Sequence, residues 1–278
     1  MKKENSYLFI PPEGLGKGTN MGFDIVETPE DSFNDYARVF LNEVRKNNSE
    51  NKQTVAILPV GPTEVYSRIV RVANIENISL KNLIVFNMDE YCNESGDDFI
   101  EYESDFSFRR FMDENFYEKL KPELTVKKEN RIFPDPKNTQ FTTKMIEDLG
   151  GADICLGSLG YTGHIAFNDP PEPDEEISIE DFKNLSTRVV SLSRESIVQN
   201  SLKIGGNADI VPKKAITLGM KEILLTKKIY MYFMRDWQAA ILRKFMHGPI
   251  TPRVPGSLLQ NHPFVKVIVS ENAAVIPK

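Results

Sequence analysis

The chain has 278 residues, a formal net charge of −6, 40% hydrophobic residues and 27% charged residues. That balance excludes a mostly disordered chain, and a length near the upper limit for one hydrophobic core needs no disulfide or metal to fold. The negative charge argues against nucleic acid and anionic membrane as partners, and two cysteines and three histidines without metal-ligand spacing argue against a disulfide framework or a zinc site.

Residues 1–22 read as an N-terminal arm. A short strand is expected at 7–10, stopped by Pro11 and Pro12, before a glycine-rich stretch at Gly14, Gly16, Gly18 and Gly22. The G-x-G-x-G spacing is a weak dinucleotide signal, because no βαβ unit with a well-placed acid follows. The start of the chain is basic, but its apolar run is too short and proline-rich for a signal peptide. No run of about 18 apolar residues predicts a membrane helix, so a cytoplasmic setting is expected.

From Phe23 the pattern becomes regular. Thr28, Pro29 and two acids predict a helix start, and Phe33, Tyr36, Ala37, Phe40, Leu41 and Val44 recur at helical spacing. An apolar strand is expected at 54–59, a helix through Val65, Ile69 and Val72, and a buried strand at 83–86. An aromatic-rich helix follows over 106–120, then a helix stopping at Gly150 and Gly151, and a strand at 152–157. Further strands are expected at 187–192, 215–218, 228–233 and 265–270, with a helix at 237–245. Apolar strands alternating with amphipathic helices imply an α/β fold, a Rossmann-like, mostly parallel sheet with helices on both faces. Residues 23–278 are expected to form a single domain, with an exposed acidic loop at 170–180.

In open α/β sheets ligands bind beyond the carboxyl ends of the strands, and three strand ends carry suggestive residues. Gly61 and Thr63, in the turn before a helix, are candidates to hold an anion, although Pro62 lacks an N–H. Asp89 and Glu90 follow a strand and point to different sides, so one is a candidate general base and the other a structural partner. Gly157, Gly160 and Gly163 permit close backbone approach around His164, with Asn168 and Asp169 nearby for proton transfer. Tyr161 is a candidate pocket residue, Trp237 a core residue, and Cys92 has no basic neighbour to activate it.

Two of these segments carry a resemblance. FNMDEY at 86–91 and GHIAFNDP at 163–170, together with VPGSLLQNHP at 254–263, resemble the motifs of glucosamine-6-phosphate deaminases (isomerases) over roughly residues 23–275. The resemblance implies a Rossmann-like fold with no cofactor and no metal, and a hydrolase and isomerase of amino sugar and carbohydrate metabolism. Its partner would be a small sugar or sugar phosphate, and a homo-oligomer is compatible with it. By this likeness Asp89 moves a proton between C2 and C1 of the sugar. His164 assists ring opening, and the residues at 162 and 169 orient it. Gly61, Thr63, Glu90, Gly163 and Tyr161 would contribute to substrate binding.

The chain also departs from that pattern. Thr162 replaces an acid, and Asp169 replaces a glutamate one methylene longer, a loss of reach of roughly 1.5 Å. Val60-Gly61-Pro62-Thr63 replaces Thr-Gly-Gly-Thr. Ile197, and Gln238 or a neighbour, stand where basic phosphate ligands are expected, with Arg194 and Arg235 as nearby substitutes. Substrate recognition is therefore expected to have changed. The alternatives are a sugar-binding regulatory protein that lost the chemistry, or a hydrolase like the sister 6-phosphogluconolactonases.

Overall fold

The structure, a computed structural model, describes residues 3–277; residues 1–2 of the expected arm and residue 278 lie outside it. The strand expected at 7–10 is instead a 3-10 helix, Lys3–Phe9. One edge of the main sheet is β1 (Gly22–Val26), which the sequence pattern did not single out and which pairs in parallel with the last strand. Ile10, Leu15 and Met21 pack into the main core, so the arm lies against its own domain.

Helix α1 (Pro29–Ser49) opens on a capping box. Asp31 N–H donates to Thr28 Oγ1 at 3.2 Å, and Thr28 N–H donates back to the Asp31 carboxylate at 3.0 Å. The chain continues through β2 (Thr54–Leu58), α2 (Glu64–Glu76), β3 (Leu83–Asn87) and β4 (Asp89–Tyr91). Next comes α3 (Phe108–Met112), extended by a π-helical turn, Asp113–Tyr117, so the aromatic helix expected over 106–120 is shorter and irregular. Then follow β5 (Arg131–Ile132), α4 (Thr139–Asp148) and β6 (Ile154–Gly157). The second half runs α5 (Ile179–Lys183), β7 (Arg188–Ser191), α6 (Arg194–Ser201), β8 (Lys214–Thr217) and α7 (Met220–Leu224). It closes with β9 (Ile229–Phe233), α8 (Ala239–His247), β10 (Val265–Ser270) and α9 (Glu271–Ala274).

Seven strands form a parallel sheet in the order β1-β10-β9-β6-β2-β3-β5. Every position of β2 and β3 is buried, as parallel strands covered on both faces must be. Alternate residues enter different cores. Val55, Ile57, Ile84 and Phe86 face α8 residues such as Leu242 and Phe245, whereas Ala56, Leu58, Leu83 and Val85 face Phe40 of α1 and Ile69 of α2. A second, antiparallel sheet, β4-β8-β7, was not legible as separate in the sequence; it stands at the carboxyl side of β3.

From β2 the chain builds outward to β3 and β5, then returns to place β6 on the other side of β2. The crevice between β2 and β6 is therefore the topological switch point, where the loops after adjacent strands diverge and leave room for a ligand. No helix among the described residues is long and apolar enough to cross a membrane.

Candidate active site

A cleft of about 680 Å³ opens at that switch point. The turn after β2 supplies Gly61, Thr63 and Glu64; the end of β3 supplies Asp89; the loop after β6 supplies Ser158, Gly160 and His164; the segment after β9 supplies Arg235, Trp237 and Gln238. Four neighbouring strands thus each send one loop to the same space.

The 163–170 segment folds around a buried asparagine. The Asn168 amide donates to Ile165 O at 3.0 Å and Leu218 O at 2.8 Å, and its oxygen accepts from Arg188 at 2.9 Å. That anchoring holds Ala166 in the left-handed region at φ 54°, a conformation that costs a non-glycine residue about 1 kcal/mol. Gly160 fits beneath the histidine: a Cβ there would lie 2.1 Å from His164 Nε2. Only glycine lets the ring reach the cleft wall.

His164 Nδ1 faces away from the cleft into a polar nest. It lies 2.9 Å from Asp169 Oδ1, 2.8 Å from Thr162 Oγ1 and 3.3 Å from Ser196 Oγ. Thr162 and Ser196 both donate to Asp169, at 3.1 and 2.8 Å, and Ser193 N–H donates to it at 3.2 Å. Burial raises the Asp169 carboxyl, but the hydrogen bond and charge of His164, with the two serines, outweigh it and bring it down to about 2. An ionised Asp169 orients the Nδ1–H toward itself, which leaves Nε2 to face the cleft. The lost methylene at 169 therefore does not break the pair. Ser196, which sequence reasoning missed, adds a donor to the Asp169 carboxylate.

Asp89 is 7% exposed and lines the cleft; Glu90, its neighbour, does not. Adjacent residues of a strand point to opposite faces, and Glu90 is fully buried behind the site. It accepts from the backbone N–H groups of Tyr91, Phe108 and Arg109 and from the Arg109 side chain at 2.8–3.2 Å. Glu90, expected to contribute to substrate binding, instead anchors the start of α3 and does not border the cleft. Gly163 also lies outside the cleft. Its φ of +87° and the proximity of Ile241 and Val254 explain the glycine, and its carbonyl accepts from Gly256 N–H at 2.8 Å, tying in the 254–263 segment.

Tyr161 is likewise displaced. It is 63% exposed and borders a second cavity with Arg194, Val198, Leu202 and Trp237. Trp237, expected in the core, is 41% exposed and lines both cavities. His262 is structural, held between Thr226 O at 2.7 Å and the Phe264 backbone.

The basic ligands missing from the sequence are not restored at their expected places. Ile197 packs with Tyr91 and Leu192 in a third apolar cluster. Gln238 is buried and fully committed. Its oxygen accepts from Met234 N–H at 2.8 Å and Arg235 N–H at 3.0 Å, and its amide donates to Ser158 Oγ at 2.8 Å and Leu159 O at 3.1 Å. Arg235 reaches the cleft, where it donates to Glu64 Oε1 at 2.8 Å; Arg194 reaches only the second cavity. Among the described residues, no group of three or more His, Cys, Asp and Glu is placed to hold a metal ion.

Comparison with known proteins places these features in context. No family model matches the chain. The chain is 30% identical over 255 residues to the glucosamine-6-phosphate deaminase of Clostridium perfringens, covering 89% of this chain and 97% of that one. A solved monomeric glucosamine-6-phosphate deaminase is similar at a TM-score of 0.79 and 25% identity, over 92% of this chain and all of that one. A 6-phosphogluconolactonase from Thermotoga maritima shares the fold, with a TM-score of 0.65 and 14% identity over 91% of this chain and 100% of that one.

Proposed function

The chain belongs to the glucosamine-6-phosphate deaminase family, and from that membership we propose that it is an amino-sugar deaminase that converts a 2-amino aldose and water to the 2-ketose and ammonia. The observation that carries this reading is the meeting of Asp89 and the His164–Asp169 pair in one cleft at the β2–β6 switch point. His164, through the nitrogen facing the cleft, takes the proton of the C1 hydroxyl and delivers it to the ring oxygen, so that the bond from C1 to the ring oxygen breaks and the open aldehyde forms. Asp89 removes the C2 proton of the open aldehyde and delivers it to C1 while an amine proton passes to the C1 oxygen, leaving an alcohol at C1 and an imine at C2. Water adds there and ammonia departs, so the step is both an isomerisation and a hydrolysis. Thr162, Asp169 and Ser196 hold the histidine in orientation.

A 2-amino sugar suits an acidic cleft, because its ammonium group meets Asp89 in a site with few cations. Two free, buried cysteines with no disulfide fit a reducing, cytoplasmic setting, and burial, pushing Cys92 up to about 11 and Cys155 up to about 12, leaves neither thiol reactive. Ammonia release from a panel of hexosamines and hexosamine 6-phosphates tests the proposal. We expect turnover of at least one, and loss of about a thousandfold in kcat/KM for Asp89→Asn. Wild-type protein that releases ammonia from none of them sinks the deaminase reading.

A further inference from the structure

One end of the cleft is formed by the turn after β2 and the segment after β9, and the chain has placed its own anion there. Glu64 is the first residue of α2, where the helix dipole and free N–H groups favour negative charge. Its carboxylate accepts from Arg235 at 2.8 Å and from the Thr63 hydroxyl at 3.4 Å. Pro62 brings no N–H, Val60 is an apolar wall, and Gln238 has all its donors engaged.

The charge count of the lining is decisive. The charged side chains bordering the cleft are Asp89, Glu64 and Arg235, together with His164, whose own carboxylate partner stands behind it. Arg235, the one arginine of the lining among the described residues, is paired with Glu64, so a dianion entering this end meets a carboxylate beside that arginine. An uncharged alcohol meets the opposite situation. Glu64 is an acceptor and Arg235 a donor for a terminal hydroxyl, and Trp237 offers an aromatic face to the sugar carbons.

Resting on the deaminase reading above, the geometry points to an amino sugar with an uncharged hydroxyl terminus, not a phosphate ester, as the substrate class of this site. The Glu64–Arg235 pair is the specificity determinant, excluding phosphate by repulsion and recognising the hydroxyl by hydrogen bonds.

Calorimetric titration of the full chain with 2-amino-2-deoxyglucitol and its 6-phosphate tests this without turnover, because neither alcohol can react. Wild-type protein is expected to bind the neutral alcohol about tenfold or more tighter than the phosphate. Glu64→Gln, which frees Arg235, is expected to move that ratio toward the phosphate by about tenfold or more. Tighter binding of the phosphate by wild type, binding of neither ligand, or an unchanged ratio in the folded Glu64→Gln variant overturns the inference. Ammonia assays read the deaminase proposal separately. The expected binding ratio with no ammonia release defeats the chemistry and leaves the recognition standing; ammonia release with the opposite ratio does the reverse.

Discussion

Asp169 shows how one residue links charge, stability and orientation. Its carboxyl is held at about 2, against an ordinary 3.8, so the folded state favours the ionised form. A depressed carboxylate contributes stability that is present above the ordinary value and is lost as pH falls through the folded one. The contribution is about 2 kcal/mol near neutral pH. Asp169→Asn is therefore expected to lower stability by about that amount at pH 7, with the gap to wild type closing between about pH 4 and pH 2. Denaturant titration across that range checks it, and an unchanged gap contradicts the ion pair. Asp169 was visible in the sequence as the acid near His164, and Thr162 only as a departure from a pattern. Ser196 was not visible at all, because it is 27 residues from Asp169 in the chain and joins it only through the placement of α6.

At the scale of elements, the local rules were the most readable. The sequence Thr-Pro-Glu-Asp before an apolar helical stripe marks a helix start, and α1 begins there with both bonds of the capping box. Thr28→Ala is expected to lose about 1 kcal/mol of stability, measured as a shift of the denaturation midpoint without change in slope. The buried strands β2, β3 and β6 were legible for a similar reason: short uninterrupted apolar runs bounded by polar, Gly or Pro residues leave few alternatives. The failures were elements whose state depends on a partner. Residues 7–10 have strand composition but pair with no strand, and β4 is a strand only because β8 lies beside it.

Across the whole molecule, Arg243 ties the chain's two end segments to the core. It is fully buried on α8, and its guanidinium donates to Ile10 O at 2.9 Å, Ala239 O at 2.9 Å, Ala274 O at 2.8 Å and Val275 O at 2.8 Å. No carboxylate pairs with it in that set; four carbonyls satisfy it, and hydrogen bonds to a charged group each contribute about 1.5–3 kcal/mol. Arg243→Ala leaves those carbonyls unpaired and a cavity in the core. It is expected to lose about 3 kcal/mol or more and to speed amide exchange in both end segments. Stability equal to wild type removes this account. Nothing in the sequence distinguishes Arg243 from a solvated helical arginine, since its partners come from both ends of the chain.

By itself the sequence determined the alternation of strands and helices, the family, and the motif residues Asp89 and His164. These follow from local periodicity and short motifs, whose physics acts over a few residues. Only the tertiary structure decided which of the adjacent acids enters the cleft, that the shortened Asp169 still holds the histidine, and that Trp237 is partly exposed and lines the cleft. It also decided that Arg235 is spent on Glu64 across a separation of 171 residues. Those outcomes depend on which loops meet beyond the sheet, and strand order sets that. The acidity that first argued against nucleic acid takes, at the cleft, the form of two carboxylates, Asp89 and Glu64, the second of them placed against an arginine.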